Sequence, residues 1–222
     1  MKKALLISGL ALAICLVNSQ VASAISFQLT LDHCTGGCGT APFGTVDVTQ
    51  VGANVHIVVN LADGPPNTVG WAKTGAADFQ EFKFNATGIV LGDISIVQTF
   101  AGQTLAAQTG AFNGNGTGAF TFGIACTTCG NGNLGITSNI DFTVANATIA
   151  DLIAPNANGN IFVADIFSSQ TGNTGPVGVV GGDNPPPPPP NVVPEPTSAL
   201  LLGSGLVGAA RAARRRRQAQ KS

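Results

Sequence analysis

Two short cysteine pairs are the residues of this chain best placed to do chemistry. HCTGGC sets Cys34 and Cys38 beside His33, and CTTC sets Cys126 and Cys129 two residues apart. As thiolates the four sulfurs, with His33 as a spare ligand, have the two-pair layout of a zinc ribbon. As oxidised partners they make two disulfides, and four cysteines allow three connectivities. The close Cys126-x-x-Cys129 spacing suits either a redox-active bridge or a loop carried to Cys34 and Cys38. A redox motif normally opens a helix, whereas ACTTCGNGNLG has the composition of a turn. A fifth cysteine, Cys15, lies in an N-terminal segment read below as removed, which leaves an even number. Export into an oxidising compartment favours pairing, so Cys34, Cys38, Cys126 and Cys129 are read as disulfide cysteines and no metal is expected.

Other constellations do not assemble. His56 falls mid-strand on the polar parity, where a solvated side chain is the default. Ser204 is the serine flanked by glycines, and it belongs to a C-terminal apolar segment rather than to a nucleophile elbow. GNGTG, from Gly114 to Gly118, lacks the lysine and helix of a phosphate loop and reads as a hairpin turn. Carboxylates for glycoside cleavage would come from scattered aspartates, because the glutamates are Glu81 and Glu195 alone. Asp63, Asp93, Asp151 or Asp183 in Gly-rich turns could serve calcium, but no EF-hand or nonapeptide spacing is present. The expectation is a protein without catalytic residues or cofactor.

The elements that must position these groups are strands. In ANVHIVVNL, Val55, Ile57, Val59 and Leu61 share one parity, with His56 and Asn60 on the other. The same alternation runs through Phe120, Phe122 and Ile124, and through Ile140, Phe142 and Val144. NIFVADIF is apolar on both parities, as a doubly covered strand would be. Weaker strands are SFQLTL, GTVDVTQV, FQEFKFN and GDISIVQTF, and NATIADLIAP has room for a short helix. DGPPN, KTGAAD, FNGNGTG, CGNGNLG, APNANGN and QTGNTGP supply turns. Many short strands cut by such turns, in a chain of 29 glycines, one Trp and no Tyr, predict an all-β fold: an antiparallel β-sandwich or jelly roll. Phe82, Phe84, Phe120 and Phe122 are expected in its core; a sugar-stacking platform is the alternative, which Trp or Tyr serves better. Trp71, beside a turn, is the candidate for an exposed aromatic, with burial the expectation.

Charge divides the chain into pieces. From Ile25 to Asp183 there are ten acids and two bases, Lys73 and Lys83, giving 2 − 10 = −8. Such a body repels nucleic acid and anionic membrane surfaces. The remaining eight bases lie at the two ends. At the start, Lys2 and Lys3, an apolar run from Ala4 to Val17 and Ala22-Ser23-Ala24 have the layout of a signal peptide, residues 1–24, cut after Ala24. A β-sandwich domain is assigned to residues 25–183 and a proline-rich linker to residues 184–193. Pro185 to Pro190 form a stiff polyproline spacer about 19 Å long.

Beyond the linker, VPEP is followed by an apolar stretch from Thr197 to Ala210 and then by Arg211 and Arg214, Arg215, Arg216 and Arg217. The stretch sits at the short edge of a bilayer span, and the arginines would stay cytoplasmic with the body outside. Gly203, Gly205 and Gly208 make it a poor permanent anchor. This C-terminal region, residues 194–217 with a tail at 218–222, resembles the PEP-CTERM sorting signal. The resemblance implies that Pro194, Glu195 and Pro196 form the sorting motif and that a short transmembrane helix follows. It further implies that exosortase, a membrane enzyme of polysaccharide-producing Gram-negative bacteria, is the partner. The expected route is an inner-membrane-anchored precursor, held transiently by that helix, and then the cell surface or extracellular matrix. The expected body is a structural or adhesive domain among extracellular polysaccharide; the alternatives are a polysaccharide-acting enzyme and a calcium- or carbohydrate-binding module.

Overall fold

Alternating apolar residues give strands such as Asn54–Leu61 and Ile140–Val144 one dry face, and the computed structural model pairs thirteen strands among the described residues into two antiparallel sheets. It describes residues 23–74 and 79–182. The signal peptide, the linker, the sorting motif Pro194-Glu195-Pro196, its apolar helix and the arginines Arg211 and 214–217 lie outside the described residues. Among the described residues no helix is long and apolar enough to cross a membrane.

The first sheet contains β1 (Ala24–Gln28), β3 (Gly44–Val51), β4 (Asn54–Leu61), β11 (Ile140–Val144) and β7 (Ile94–Ile96), in the order β1-β3-β4-β11-β7. Its alternation matches the sequence: Val55, Ile57, Val59 and Leu61 are buried, as are Ile140, Phe142 and Val144. The second sheet is built around β12 (Asn160–Ser168). Along β12, Phe162–Ala164 pair with β6 (Phe82–Phe84) and Ile166–Ser168 pair with β5 (Val69–Lys73). β13 (Thr174–Val180) also pairs with β12, and β2 (Leu31–Asp32) pairs with β13. β9 (Ala119–Cys126) and β8 (Leu105–Asn113) continue beyond β6, and β10 (Gly132–Asn133) pairs with β5.

Phenylalanine joins the two sheets. Phe142 of the first sheet packs on Phe82 and Phe84 of the second at ring-centroid distances of 6.0 and 5.3 Å, and Phe27 meets Phe162 edge-on at 5.5 Å. Rings at these separations add contact energy to the area they bury. Phe82, Phe84, Phe120 and Phe122 are all buried, which removes the stacking-platform alternative for them. Trp71 is fully buried in β5 and donates its indole N–H to the Ser138 carbonyl at 2.8 Å.

Three differences from the sequence reading have physical causes. QTGNTGP is a turn only as far as Asn173, because β13 begins at Thr174 and carries Pro176 opposite Asp165. β8 was not legible because Ala106, Ala107, Gln108 and Thr109 carry no apolar alternation; its long ladder with β9 holds it instead. His56 is not simply solvated: its Nε2 lies 2.6 Å from Asp141 Oδ1. The short helix does form, at Ile149–Leu152, and the Gly114–Gly118 segment is the β8–β9 turn, closed by the Thr117 N–H on Gly114 O.

Candidate functional site

The cysteines pair locally, Cys34 with Cys38 and Cys126 with Cys129. The first loop is built from its backbone outward. Asp32, at the end of β2, accepts the Cys34 N–H on Oδ1 at 2.9 Å and the Cys38 N–H on Oδ2 at 2.7 Å. Cys38 O accepts the Ser168 hydroxyl at 2.6 Å and Asn67 Nδ2 at 3.2 Å, and Gly37 O accepts Asn173 Nδ2 at 2.6 Å. The loop is thereby bound to the turn between β12 and β13. Gly175 permits this approach, since a Cβ there would lie 2.7 Å from Cys34 Cα. Asp32, Cys34 and Cys38 bring three potential ligand atoms within 4.8 Å of one another. Their sulfurs are joined to each other and the carboxylate holds two N–H groups, so the grouping is a stapled loop rather than the thiolate set a zinc ion needs.

The second pair ends β9. Cys126 is buried and Cys129 half-buried, and the Cys129 N–H points at Cys126 Sγ at 3.1 Å. A pocket of about 140 Å³ adjoins Cys129, lined also by Gln103, Asn131, Asn133, Leu134 and Ile136. The CTTC segment is a turn, as its composition requires, and is not carried to Cys34 and Cys38.

Behind this turn lies a cluster that sequence reasoning did not assemble. Glu81 is fully buried; its Oε2 accepts the Cys126 N–H at 2.7 Å, while its Oε1 has no hydrogen-bond partner among the described residues. Burial pushes the Glu81 carboxyl up to about 7, against the pull of the Cys126 N–H and the Lys73 ammonium and with a further rise from Asp165. Lys73 Nζ itself donates to Cys126 O at 2.7 Å. Lys83 Nζ lies 3.1 Å from Asp165 Oδ2 and donates to Gln80 O at 2.8 Å, with both members of the ion pair buried. The only two bases between Ile25 and Asp183 thus end on this one cluster. The signal was an acid in the doubly apolar strand NIFVADIF and a base in FQEFKFN, since a charge inside such strands requires a partner.

The other carboxylates considered for calcium close local turns. Asp93 Oδ2 accepts the Val90 N–H, and Asp151 Oδ2 accepts both the N–H and the hydroxyl of Thr148, which holds the Asp151 carboxyl below its usual range. Asp63 is exposed, and Asp183 lies outside the described residues.

Fold and staples together define an all-β domain with two disulfides, the covalent chemistry of an oxidising compartment. The chain carries a PEP-CTERM protein-sorting motif: residues 192–217 match the family so described. That motif implies exosortase processing of an exported, membrane-anchored precursor. The match is confined to this C-terminal region and does not extend to the two sheets. No curated protein and no solved structure matches the chain.

Proposed function

We propose that the chain is a non-enzymatic structural or adhesive protein of the cell surface or extracellular matrix of a Gram-negative bacterium, sorted there by exosortase from a transiently anchored precursor. The observation that carries the reading is the sorting motif at residues 192–217 behind an all-β, disulfide-bearing domain. The use made of the body's carboxylates supports it: Asp32 caps the Cys34 loop, Asp47 accepts from Asn60, Asp93 and Asp151 close turns, Asp141 holds His56 and Asp165 holds Lys83. These acids act on the protein's own backbone and side chains. The net −8 of residues 25–183 suits a domain that stays soluble among neutral or anionic extracellular polysaccharide and binds it weakly through many copies.

The reading is tested by deleting the gene and by assaying the purified domain. Altered cell aggregation or biofilm texture with unchanged polysaccharide length, and no sugar released by the domain, is the expected result. Depolymerisation by the domain would replace this reading with that of an exported enzyme. Glu195→Ala should leave export intact and trap the uncut precursor in the membrane fraction; equal processing of both forms would remove Glu195 from the sorting step.

A further inference from the structure

We propose that Lys83 and Asp165 become joined by an intramolecular amide bond, Nζ to Cγ, with Glu81 carrying the protons. The reacting groups are already in place. Lys83 Nζ sits 3.1 Å from Asp165 Oδ2, one bond from the Cγ it would attack, and both side chains are almost completely shielded, at 1% and 5% exposure. Glu81 immediately precedes β6, two residues from Lys83. Lys83 pairs with Val163, and the Asp165 N–H donates to Glu81 O at 2.8 Å, which sets Glu81 directly across the ladder from Asp165. Glu81 Oε1 is buried with no hydrogen-bond partner among the described residues, so one carboxyl oxygen here is not used by them.

The step balances without an oxidant. Within the ion pair one proton passes from the Lys83 ammonium to the Asp165 carboxylate, leaving a neutral amine against a neutral acid. Nζ adds to Cγ, the Nζ–Cγ bond forms, one Cγ–O bond breaks, and the oxygen departs as water. The departing hydroxyl needs a proton and the attacking amine must lose one. Glu81, which titrates near neutrality, gives the first and takes the second and ends in its starting state. Burial drives the pair the same way, because the product is neutral where the reactants were two buried charges.

The consequence is mechanical. The two disulfides close loops with sequence separations of only 4 and 3, so neither ties distant parts of the chain together. The amide would close a separation of 82 residues and lock β6 to β12 near the middle of the second sheet.

The full chain, exported by its producing cells and then purified, reduced and denatured, provides the test. Trypsin needs a free lysine side chain and should fail to cut after Lys83. Chymotryptic digestion should yield a branched peptide joining the Lys83 and Asp165 segments, lighter than the sum of its parts by one water. Complete cleavage after Lys83, with no mass deficit, would overturn the proposal. Glu81→Gln keeps the shape of the side chain and removes the proton carrier. It should fold, as judged by circular dichroism, and show an unblocked Lys83; a folded Glu81→Gln protein that still carries the bond would overturn the part assigned to Glu81. Asp165→Ala should restore tryptic cleavage at Lys83 whether or not the variant folds well, and a persistent block there would overturn Asp165 as the partner.

Discussion

Each sheet carries a pair of a basic side chain and a carboxylate in the same diagonal geometry. His56 on β4 opposes Thr143 and binds Asp141, two residues along β11. Lys83 on β6 opposes Val163 and binds Asp165, two residues along β12. Their surroundings differ: the side chains of the first pair are 36% and 20% exposed, those of the second 1% and 5%. Part of the second pair's cover is local. Gln80 lies across β9 where Gly123 has no side chain, since a Cβ there would fall 2.4 Å from Gln80 Cγ, and Gln80 Nε2 donates to Gln108 Oε1. One missing methyl thus lets an amide lie over the sheet, and the Lys83–Asp165 pair sits on a dry face where His56–Asp141 sits on a wet one. Geometry alone does not decide what a salt bridge is worth; the cover above it does.

The comparison is broken most severely by removing one partner of the dry pair. In the Glu81→Gln background, where Lys83 and Asp165 stay unjoined, Lys83→Met leaves the Asp165 carboxylate buried without its cation and should cost about 3–5 kcal/mol in urea unfolding. Adding Asp165→Leu to that variant should recover much of the loss, since an apolar pair needs no compensation. Against the opposite face of β6, Phe142→Ala on β11 should cost a similar amount, about 3–5 kcal/mol, but no second substitution should restore it, because the deficit there is a cavity rather than a stranded charge. Recovery on both faces, or on neither, would show that the two losses have one cause.

Glu81 makes the dry face sensitive to pH. An unfolded glutamate titrates near 4.5, whereas in the fold Glu81 keeps its proton up to about 7. Between these values the native state binds more protons than the unfolded one, so stability is greatest below the unfolded value and falls as pH rises toward 7. The displacement corresponds to about 3 kcal/mol lost between pH 4.5 and pH 8. Urea midpoints measured across that range should decline for the native sequence and stay flatter for Glu81→Gln. Parallel curves would place the carboxyl at its ordinary value.

How far the sequence led can be judged on β6 itself. Phe82 and Phe84 were legible as core, because period-2 alternation fixes which parity turns inward. Lys83, on the other parity, and Glu81 just before the strand were not placed by it, because alternation says nothing of what crosses above a sheet. Trp71 shows the same limit: its turn-rich surroundings hid a strand whose indole N–H is satisfied by a carbonyl 67 residues away. The cysteines were read as disulfides from the export signal, yet their local pairing depends on loop geometry that spacing leaves open. β8 could not be found from alternation because it is held by its backbone ladder to β9 rather than by an apolar face.

The disulfides extend the contrast between covered and open sites at a smaller scale. Cys34 and Cys38 are both buried beneath the β12–β13 turn, whereas Cys129 is half-open to a pocket. Graded dithiothreitol followed by alkylation and peptide mapping should label Cys129 and Cys126 before Cys34 and Cys38, since exchange begins at the accessible sulfur. Replacing Cys34 and Cys38 together by Ser should cost about 2 kcal/mol, the scale for closing so short a loop. Simultaneous reduction of both bridges would show that the hydrogen bonds around Cys38 do not protect it.

The smallest effect is expected at the wet pair, where it measures the comparison most directly. A double-mutant cycle on His56→Ala and Asp141→Ala should give a coupling below about 1 kcal/mol, because water screens a pair that is a fifth to a third exposed. The coupling should shrink further in high salt, since partly exposed charges lie within reach of mobile ions. The equivalent cycle on Lys83 and Asp165, run in the Glu81→Gln background where the two are unjoined, should be several times larger and nearly indifferent to salt. The two cycles hold the strand geometry constant, with each base opposite one residue and bonded to the carboxylate two positions along, and they differ in the base, imidazole or lysine amine, and in its cover. Equal couplings in the two sheets would mean that the roof formed over Gly123 by Gln80 does not exclude water, and with that result the dry face would lose its distinction from the wet one.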